Sequence, residues 1–306
     1  MNLRSHLFCL IAIIIWSTLE VTGKLVGIGI DPYTLTAWRF VIGGMILLPF
    51  ALRQVRKDKL QISRSSILHI GSLGILNVCV SMLLLQLSIF YGKASLTAVI
   101  VSMNPLFVTG FAMVLIKEKL NRIQLLSLGL GLLGLLLIVF SERDFANSSY
   151  LNLPVGVIFA IMASLTFGLW TVLTKSAIVR YGNVFTNALS FLVGGIILML
   201  INLIIGKPAA FSFSMRNLLL VSYLGLFITG VAYLLYFDAM KAISASVASA
   251  YFFLKPALAT LLAFFILKET LSMGQLVGIT LIVVSLVWRP LTNIFSYIRC
   301  KNTIVA

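Results

Sequence analysis

Charge is what this chain has least of. Only 10% of its 306 residues are Asp, Glu, Lys or Arg, against about 25% in soluble domains, while 60% are hydrophobic. Water does not hold such a composition, which excludes a soluble globular enzyme. Stretches of ordinary composition are also missing, and none approaches the ~50 residues of a small independent domain, so a soluble domain on a membrane anchor is excluded too. Cysteine is sparse and scattered: Cys9 and Cys79 fall inside apolar runs and Cys300 in the tail, without disulfide or metal spacing. Histidine is limited to His6 and His69 at separate span entrances, and there is no G-x-x-x-x-G-K-[ST] loop, H-E-x-x-H pair or G-x-S-x-G elbow. These absences leave no phosphate cradle for an ATP-driven pump and no catalytic pair for a membrane enzyme. Neither an enzyme nor a cofactor or metal site is expected.

What the chain has instead is long apolar runs. They lie at 5–27, 34–52, 66–90, 94–116, 122–141, 154–175, 183–205, 216–237, 244–267 and 273–290, each near the ~20 residues that a helix needs to cross the hydrocarbon core. The first run follows Arg4 as a signal peptide would, but no small-residue cleavage site follows it, and it reads as the first span. Tyr91-Gly92-Lys93 supplies the turn and the charge that divide the third run from the fourth. The expected fold is an all-α integral membrane protein of ten transmembrane helices.

Compared with itself at an offset of 151 residues, the chain falls into register without a gap. Lys24 meets Lys175, Phe40 meets Phe191, Gly43-Gly44 meets Gly194-Gly195, and Leu73-Gly74 meets Leu224-Gly225. Further on, Ala94-Ser95 meets Ala245-Ser246, Pro105 meets Pro256, Lys117-Glu118 meets Lys268-Glu269, and Gln124-Leu125 meets Gln275-Leu276. Leucine matches carry little weight in so apolar a chain, but matched Pro, Lys-Glu and Gln at one shift read as a tandem duplication of five spans. An odd number of spans turns the second copy over, giving two inverted five-helix repeats, an architecture typical of secondary transporters. The expected boundaries are 1–141 for the first repeat, 142–153 for an external linker, 154–290 for the second repeat and 291–306 for a cytoplasmic tail. With the N-terminus in the cytoplasm, fifteen Lys and Arg fall inside and six outside, Arg39 and Lys255 lying within spans. That bias places both termini in the cytoplasm. The net charge of +15 then answers to lipid headgroups and orientation, and nucleic acid is not an expected partner.

These residues carry a resemblance. Two five-span halves, each ending its fourth helix in Pro-x(11)-Lys-Glu-x-Leu (Pro105 to Leu120, Pro256 to Leu271), resemble the EamA family of the drug/metabolite transporter superfamily. Trp16 with Lys24 in the first span, Arg39-Phe40 in the second and Lys255-Pro256 in the ninth are similar to what that family shows. The resemblance covers about residues 5–290. It implies a multi-pass protein of the plasma membrane, the inner membrane in a bacterium, with cytoplasmic termini. It also implies a path lined by spans 1, 3, 4, 6, 8 and 9, and efflux of amino acids or other small metabolites. The chain departs from the family pattern at Glu20, an acidic residue where a neutral one is expected.

A charged side chain at the centre of a span costs ~2.5–3.5 kcal/mol on the insertion scale, so each needs a partner, a cavity or a route to the interface. Glu20 lies about one turn beyond the middle of the first span. Two readings stand: a pair with Lys24 one turn on, or a carboxylate facing a central cavity and holding a cationic group or a proton. Lys255 before Pro256 and Asn104 before Pro105 put a polar side chain and a helix break at the same depth in both halves. Each proline frees a carbonyl four residues back, here those of Val101 and Phe252, so spans 4 and 9 either line the path or carry a packing kink. Arg39, about one turn inside its span, reads as an anchor that snorkels to the headgroups. Trp16 and its repeat mate Phe167, with Trp170, Tyr233, Tyr236, Tyr251 and Phe252, suggest a pocket for apolar or aromatic solutes. The candidate binding residues are therefore Trp16, Glu20, Asn104, Phe167, Trp170, Tyr233, Tyr251 and Lys255, with helix breaks at Pro105 and Pro256 lining the path.

Lys117-Glu118 and Lys268-Glu269 either mark helix ends at the interface, capping carbonyls, or form a gate. Gly274-x-x-x-Gly278 permits close helix approach within the chain or in a homodimer. The leading functional reading is a secondary transporter that moves small organic metabolites by alternating access. A nucleotide-sugar or phosphorylated-metabolite exchanger would need Lys24, Arg39, Lys175 and Lys255 around an anion, and Glu20 argues against it. A non-transporting scaffold is disfavoured by the short loops. The expected partners are a small-molecule substrate, a proton as candidate coupling ion, and the lipid bilayer. Asn147-Ser148-Ser149 forms a glycosylation sequon on the expected outer side.

Overall fold

The computed structural model describes residues 3–26, 29–92, 94–141, 152–212, 214–258, 273–274 and 276–286. Among these residues the chain is helical, without a strand. The helices are α1 (Leu3–Trp16), α2 (Leu19–Val26), α3 (Pro32–Lys57), α4 (Arg64–Gly74), α5 (Leu83–Tyr91), α6 (Ala94–Val101) and α7 (Asn104–Leu115). They continue with α8 (Arg122–Phe140), α9 (Leu153–Tyr181), α10 (Asn183–Ile204), α11 (Met215–Tyr223), α12 (Ala232–Met240) and α13 (Ala245–Ala250). Two π-helical segments, Ile75–Met82 and Leu224–Val231, join α4 to α5 and α11 to α12. A 3-10 turn, Tyr251–Phe253, follows α13 and leads back into helix at 254–258.

Taken as continuous rods, seven helices among the described residues are long and apolar enough to cross a membrane: Leu3–Val26, Pro32–Lys57, Arg64–Tyr91, Thr97–Leu115, Pro154–Tyr181, Asn183–Ile204 and Met215–Met240. Arg122–Ile138 and Leu276–Leu286 are shorter apolar helices. Their outer faces stay apolar, with Leu68, Val114, Val179 and Ile204 all more than 70% exposed, the surface that lipid covers in a membrane protein. Lys93, the Asn147-Ser148-Ser149 sequon, and Lys268, Glu269 and Leu271 of the second Lys-Glu motif lie outside the described residues.

Local sequence sets where these rods begin. The side chains of Asp31, Ser63, Asn152, Ser214 and Ser244 each accept a hydrogen bond from a backbone N–H of the following turn, satisfying donors that a helix start leaves open. Pro32, Pro105 and Pro154 fall in first turns, where a missing N–H costs nothing. Between α9 and α10 the chain reverses at Gly182, whose φ of 82° suits glycine, with the Gln54 side chain packed where a Cβ would stand.

The rods pack through glycine, and the contacts come in reciprocal pairs. A Cβ on Gly43 of α3 would meet the Gly225 carbonyl at 3.0 Å, while one on Gly194 of α10 would meet the Gly74 carbonyl at 2.4 Å. Gly44 faces Leu192 at 2.7 Å, and Gly195 faces Val41 at 2.7 Å. All four contacts exchange under the shift of 151 found in the sequence. The α8 helix meets the last described helix in the same way, Gly134 against the Gly278 carbonyl and Gly278 against the Gly134 carbonyl, both at 2.6 Å. The Gly274-x-x-x-Gly278 face is therefore taken up inside the chain, since Gly274 also abuts Ser141. Backbones this close leave no room for a methyl group, and overpacking costs about 1–3 kcal/mol. Gly74→Ala and Gly194→Ala are each expected to lower the thermal unfolding temperature in nanodiscs, whereas Gly110→Ala and Gly129→Ala, with open space around the added atom, leave it unchanged or raise it.

Candidate functional site

The first span is not one helix. It breaks at Ser17 and Thr18, whose hydroxyls bond back to the Ile13 and Ile15 carbonyls at 2.7 and 2.8 Å and so compete with the regular ladder. The break ends α1 at Trp16 and places Glu20 in the first turn of α2. The helix broken between α6 and α7 is interrupted likewise at Ser102 and Met103, just before Asn104 and Pro105, and the chain after α13 tightens into the 3-10 turn two residues before Lys255-Pro256. Interruptions on three spans thus gather around one place.

There the Lys255 ammonium donates to the Glu20 carboxylate in a buried ion pair, each side chain no more than 3% exposed. Of the two readings of Glu20, the pair with Lys24 is corrected: Lys24 instead donates to the Ile89 and Gly92 carbonyls at 3.0 and 3.1 Å, which pins the outer end of α2 to the end of α5. Arg39 is a second correction. It does not snorkel but is 1% exposed, its guanidinium carbon 4.9 Å from the centre of the Phe40 ring. A depth of one turn along α3 is not a route to water here, because Gly195 of α10 packs against Ala37 and Val41, and Gly225 of the Leu224–Val231 segment against Arg39 and Ile42.

The aromatic residues form a cage around Trp16. Its ring lies 5.0 Å from Tyr233, 5.1 Å from Tyr236, 5.4 Å from Phe252 and 6.3 Å from Phe167. The indole N–H donates to the Ile228 carbonyl at 2.9 Å, in the π-helical segment. Trp16, Arg39, Phe167, Tyr233, Phe252 and Lys255, with apolar Met82 and Leu85, line a cavity. Other predicted residues stand outside it. Trp170 stacks behind Phe167 at 5.4 Å and abuts Phe237, while Asn104 ties α7 to α9 by donating to the Ser164 carbonyl at 3.0 Å. Glu20 sits behind Lys255, and Pro105 and Pro256 set the backbone without lining the cavity.

Tyr251 belongs to a second cavity, between the start of α1, the α8 entrance and α13. Its hydroxyl and His6 Nδ1 are 2.8 Å apart. The 3-10 turn therefore partitions the two spaces, Tyr251 facing one and Phe252 the other. Beside this second cavity Glu118 does not cap its own helix. Its two carboxylate oxygens accept from the Ala245 and Ser246 N–H groups at 3.1 and 3.3 Å, at the start of α13, and Lys175 of α9 lies 3.8 Å away. Sequence reading missed this latch because its partners are more than fifty residues distant. Among the described residues no three His, Cys, Asp or Glu side chains converge in a way that would hold a metal ion.

Two tests follow from this geometry. Breaking one side of a buried ion pair strands the other charge at a cost of about 3–5 kcal/mol. Glu20→Gln is therefore expected to lower the unfolding temperature sharply, and Glu20→Gln with Lys255→Met to recover most of the loss. Burial alone would push the Glu118 carboxyl up, but the neighbouring Ser246 and Ser244 side chains, the Lys175 ammonium and the Ser246 N–H outweigh it and hold it below the usual carboxylate range. Its stabilising effect is accordingly complete above the unfolded value near 4.5 and is lost as the pH falls through the lower folded value. Glu118→Gln should be less stable than the wild type at neutral pH, and the gap should close only in strong acid.

Comparison with known proteins places the chain. The family model of the EamA-like transporters matches residues 3–140 and 154–288. A protein of Clostridium kluyveri named as an uncharacterized transporter is 34% identical over 283 residues, covering 92% of this chain and 91% of that one. The uncharacterized inner membrane transporter YedA of Escherichia coli K12 is 26% identical over 297 residues, 96% of this chain and 92% of its own. A crystal structure 19% identical in sequence shares the fold with a TM-score of 0.73, over 94% of this chain and 96% of its own. Apolar helices, family match and relatives agree on a multi-pass membrane protein of transporter type, and the chain belongs to the EamA-like transporter family.

Proposed function

We propose that this chain is a secondary transporter that exports small organic metabolites, amino acids or related solutes, by alternating access through a bacterial inner membrane. The observation that carries the reading is the aromatic cavity within the bundle where broken helices meet. Irregular backbone at membrane depth is tolerated where it is buried in protein or lines a path, and it is at such breaks that transporters hold their solutes. The solute contacts in this reading are Trp16, Phe167, Tyr233, Phe252 and Lys255. Glu20 fixes Lys255, Asn104 and the two prolines hold the breaks, Trp170 supports Phe167, and Tyr251 stands at the neighbouring vestibule.

The frame is ten transmembrane helices in two inverted five-helix repeats, 1–141 and 154–290, with an external linker 142–153 and a cytoplasmic tail 291–306. The reciprocal glycine contacts and the matched π-helical segments support this, as the excess of basic residues on one side supports cytoplasmic termini. On that orientation the Glu118 link to α13 and Lys175 closes the cytoplasmic face, and the Tyr251–Phe253 turn is the partition that must move for solute to enter. A 3-10 stretch within a helix is a common place for such a hinge.

Reconstituted in proteoliposomes, the protein should move small organic solutes across the bilayer, and Phe167→Ala should slow transport at least tenfold at equal insertion. Cysteines at positions 118 and 175, joined by a short bifunctional thiol reagent, should arrest transport until the link is cleaved. Uninterrupted transport with the link in place would show that this face does not open, and a failure to move any small solute would remove the transporter reading itself.

A further inference from the structure

The charges around the cavity are not balanced. Two cations, Arg39 and Lys255, line its wall, and the one carboxylate within electrostatic reach of Arg39 among the described residues, Glu20, is held by Lys255. The described carboxylates elsewhere are engaged or distant: Asp31 with Lys207, Glu118 with Lys175, Asp238 with Lys241, and Asp58 on the exposed end of α3. Arg39 is 1% exposed, and its Nε and Nη1 have no hydrogen-bond partner among the described residues. An arginine keeps its charge in a protein, so the guanidinium has Nε and Nη1 without acceptors and shares its one nearby carboxylate with Lys255.

The fold itself does not ask for these charges. At the offset of 151, Glu20 corresponds to Thr171, Arg39 to Ser190 and Lys255 to Asn104, all three neutral and all three buried. Equivalent places in the other half are thus filled without any ion, and Ser190 and Asn104 leave only neutral polar atoms open. The remaining wall is apolar at Trp16, Met82, Leu85, Phe167 and Phe252; its neutral polar groups are the Ser164 hydroxyl, without a partner among the described residues, and the Tyr233 hydroxyl, which donates to Met82 Sδ. Ion pairing also reverses the argument that an acidic residue at position 20 disfavours anions: its charge is spent on Lys255, and it does not face the cavity.

Resting on the reading of this cavity as the solute site, we infer that the solute is an organic monoanion, a carboxylate on an apolar or aromatic body. The carboxylate seats on the Arg39 guanidinium, whose planar fork of donors matches its two oxygens. The body lies between Trp16, Phe167 and Phe252. Seating it supplies the missing negative charge and the missing acceptors together, whereas an amide supplies only acceptors and an amine adds a third cation.

The test is equilibrium binding to the purified full-length protein in nanodiscs, read by quenching of tryptophan fluorescence and by thermal stabilisation. The probes share one body: 3-phenylpropionate, 3-phenylpropionamide and 3-phenylpropylamine, with 4-methylpentanoate as an aliphatic acid. The carboxylates should bind at least tenfold more tightly than the amide, and the amine should be undetectable. Arg39→Gln should abolish that preference while leaving amide binding unchanged, a selectivity that a purely structural role would not move. Should Arg39→Gln not fold, Arg39→Lys keeps the charge without the fork and is expected to retain the order of preference with weaker carboxylate binding. Equal binding of acid and amide, an acid preference that survives Arg39→Gln, or no binding of either acid at millimolar concentration would overturn the inference. Transport of a neutral or cationic solute without acid selectivity would sink this inference and leave the transporter reading standing, and Arg39-dependent binding without transport would do the reverse.

Discussion

An ammonium group placed among helices and lipid tails has nowhere to put its charge. Lys255 resolves this by meeting Glu20, and the arrangement of the middle of the bundle follows from that meeting. Glu20 can reach it only because α1 stops at Trp16 and the chain restarts as α2. Lys255 is carried there by a helix that first tightens at Tyr251–Phe253. Removing water from two charges costs several kcal/mol each, and their attraction repays this only with close geometry. The pair therefore works as a position lock between α2 and the helix that follows the Tyr251–Phe253 turn more than as a source of net stability. Trp16, one turn before Glu20, is set down by the same break into the ring of aromatic side chains that walls the cavity.

Around this lock the scaffold is nearly symmetric while the chemistry is not. Gly43 and Gly194, Gly44 and Gly195, and the two π-helical segments occupy corresponding places, so backbone packing repeats between the halves. Arg39, Lys255 and Glu20 repeat nowhere. Shape is thus held by small residues that must remain small at each of these contacts, and the chemistry of the cavity by charges placed once. The division lets a charge on the cavity wall change without disturbing a glycine contact.

The spans were legible because burial in lipid writes itself as uninterrupted hydrophobicity, and most observed helix ends lie within a few residues of the expected runs. Pro105 and Pro256 announced two of the three interruptions. The third was hidden, since Ser17 and Thr18 are residues that intact membrane helices also carry, and nothing local tells a hydroxyl that bonds back harmlessly from one that ends a helix. Glu20 and Lys255 were recognisable as residues too costly to be idle, but the nearest cation along the chain, Lys24, was the wrong partner for Glu20. The true one is 235 positions away. Arg39 shows the same limit: depth along one helix measures distance to that helix's end and says nothing about which neighbours roof it over. Glu118 was visible as one half of a repeated motif, while its grip on α13 depends on how α7 and α13 lie together.

The π-helical segments have a mechanical meaning. A π turn holds about one residue more than an α turn over the same rise, so each segment is a length of slack stored inside an otherwise continuous rod. Passing that one residue along the rod would rotate the residues it passes by about 100° and shift them by about 1.5 Å, with both helix ends left in place. Met82 and Ile228, both on the cavity wall, sit on these segments. The Arg64–Tyr91 and Met215–Met240 rods thus each carry a built-in screw thread, through which the cavity wall could turn while the rod ends keep their places.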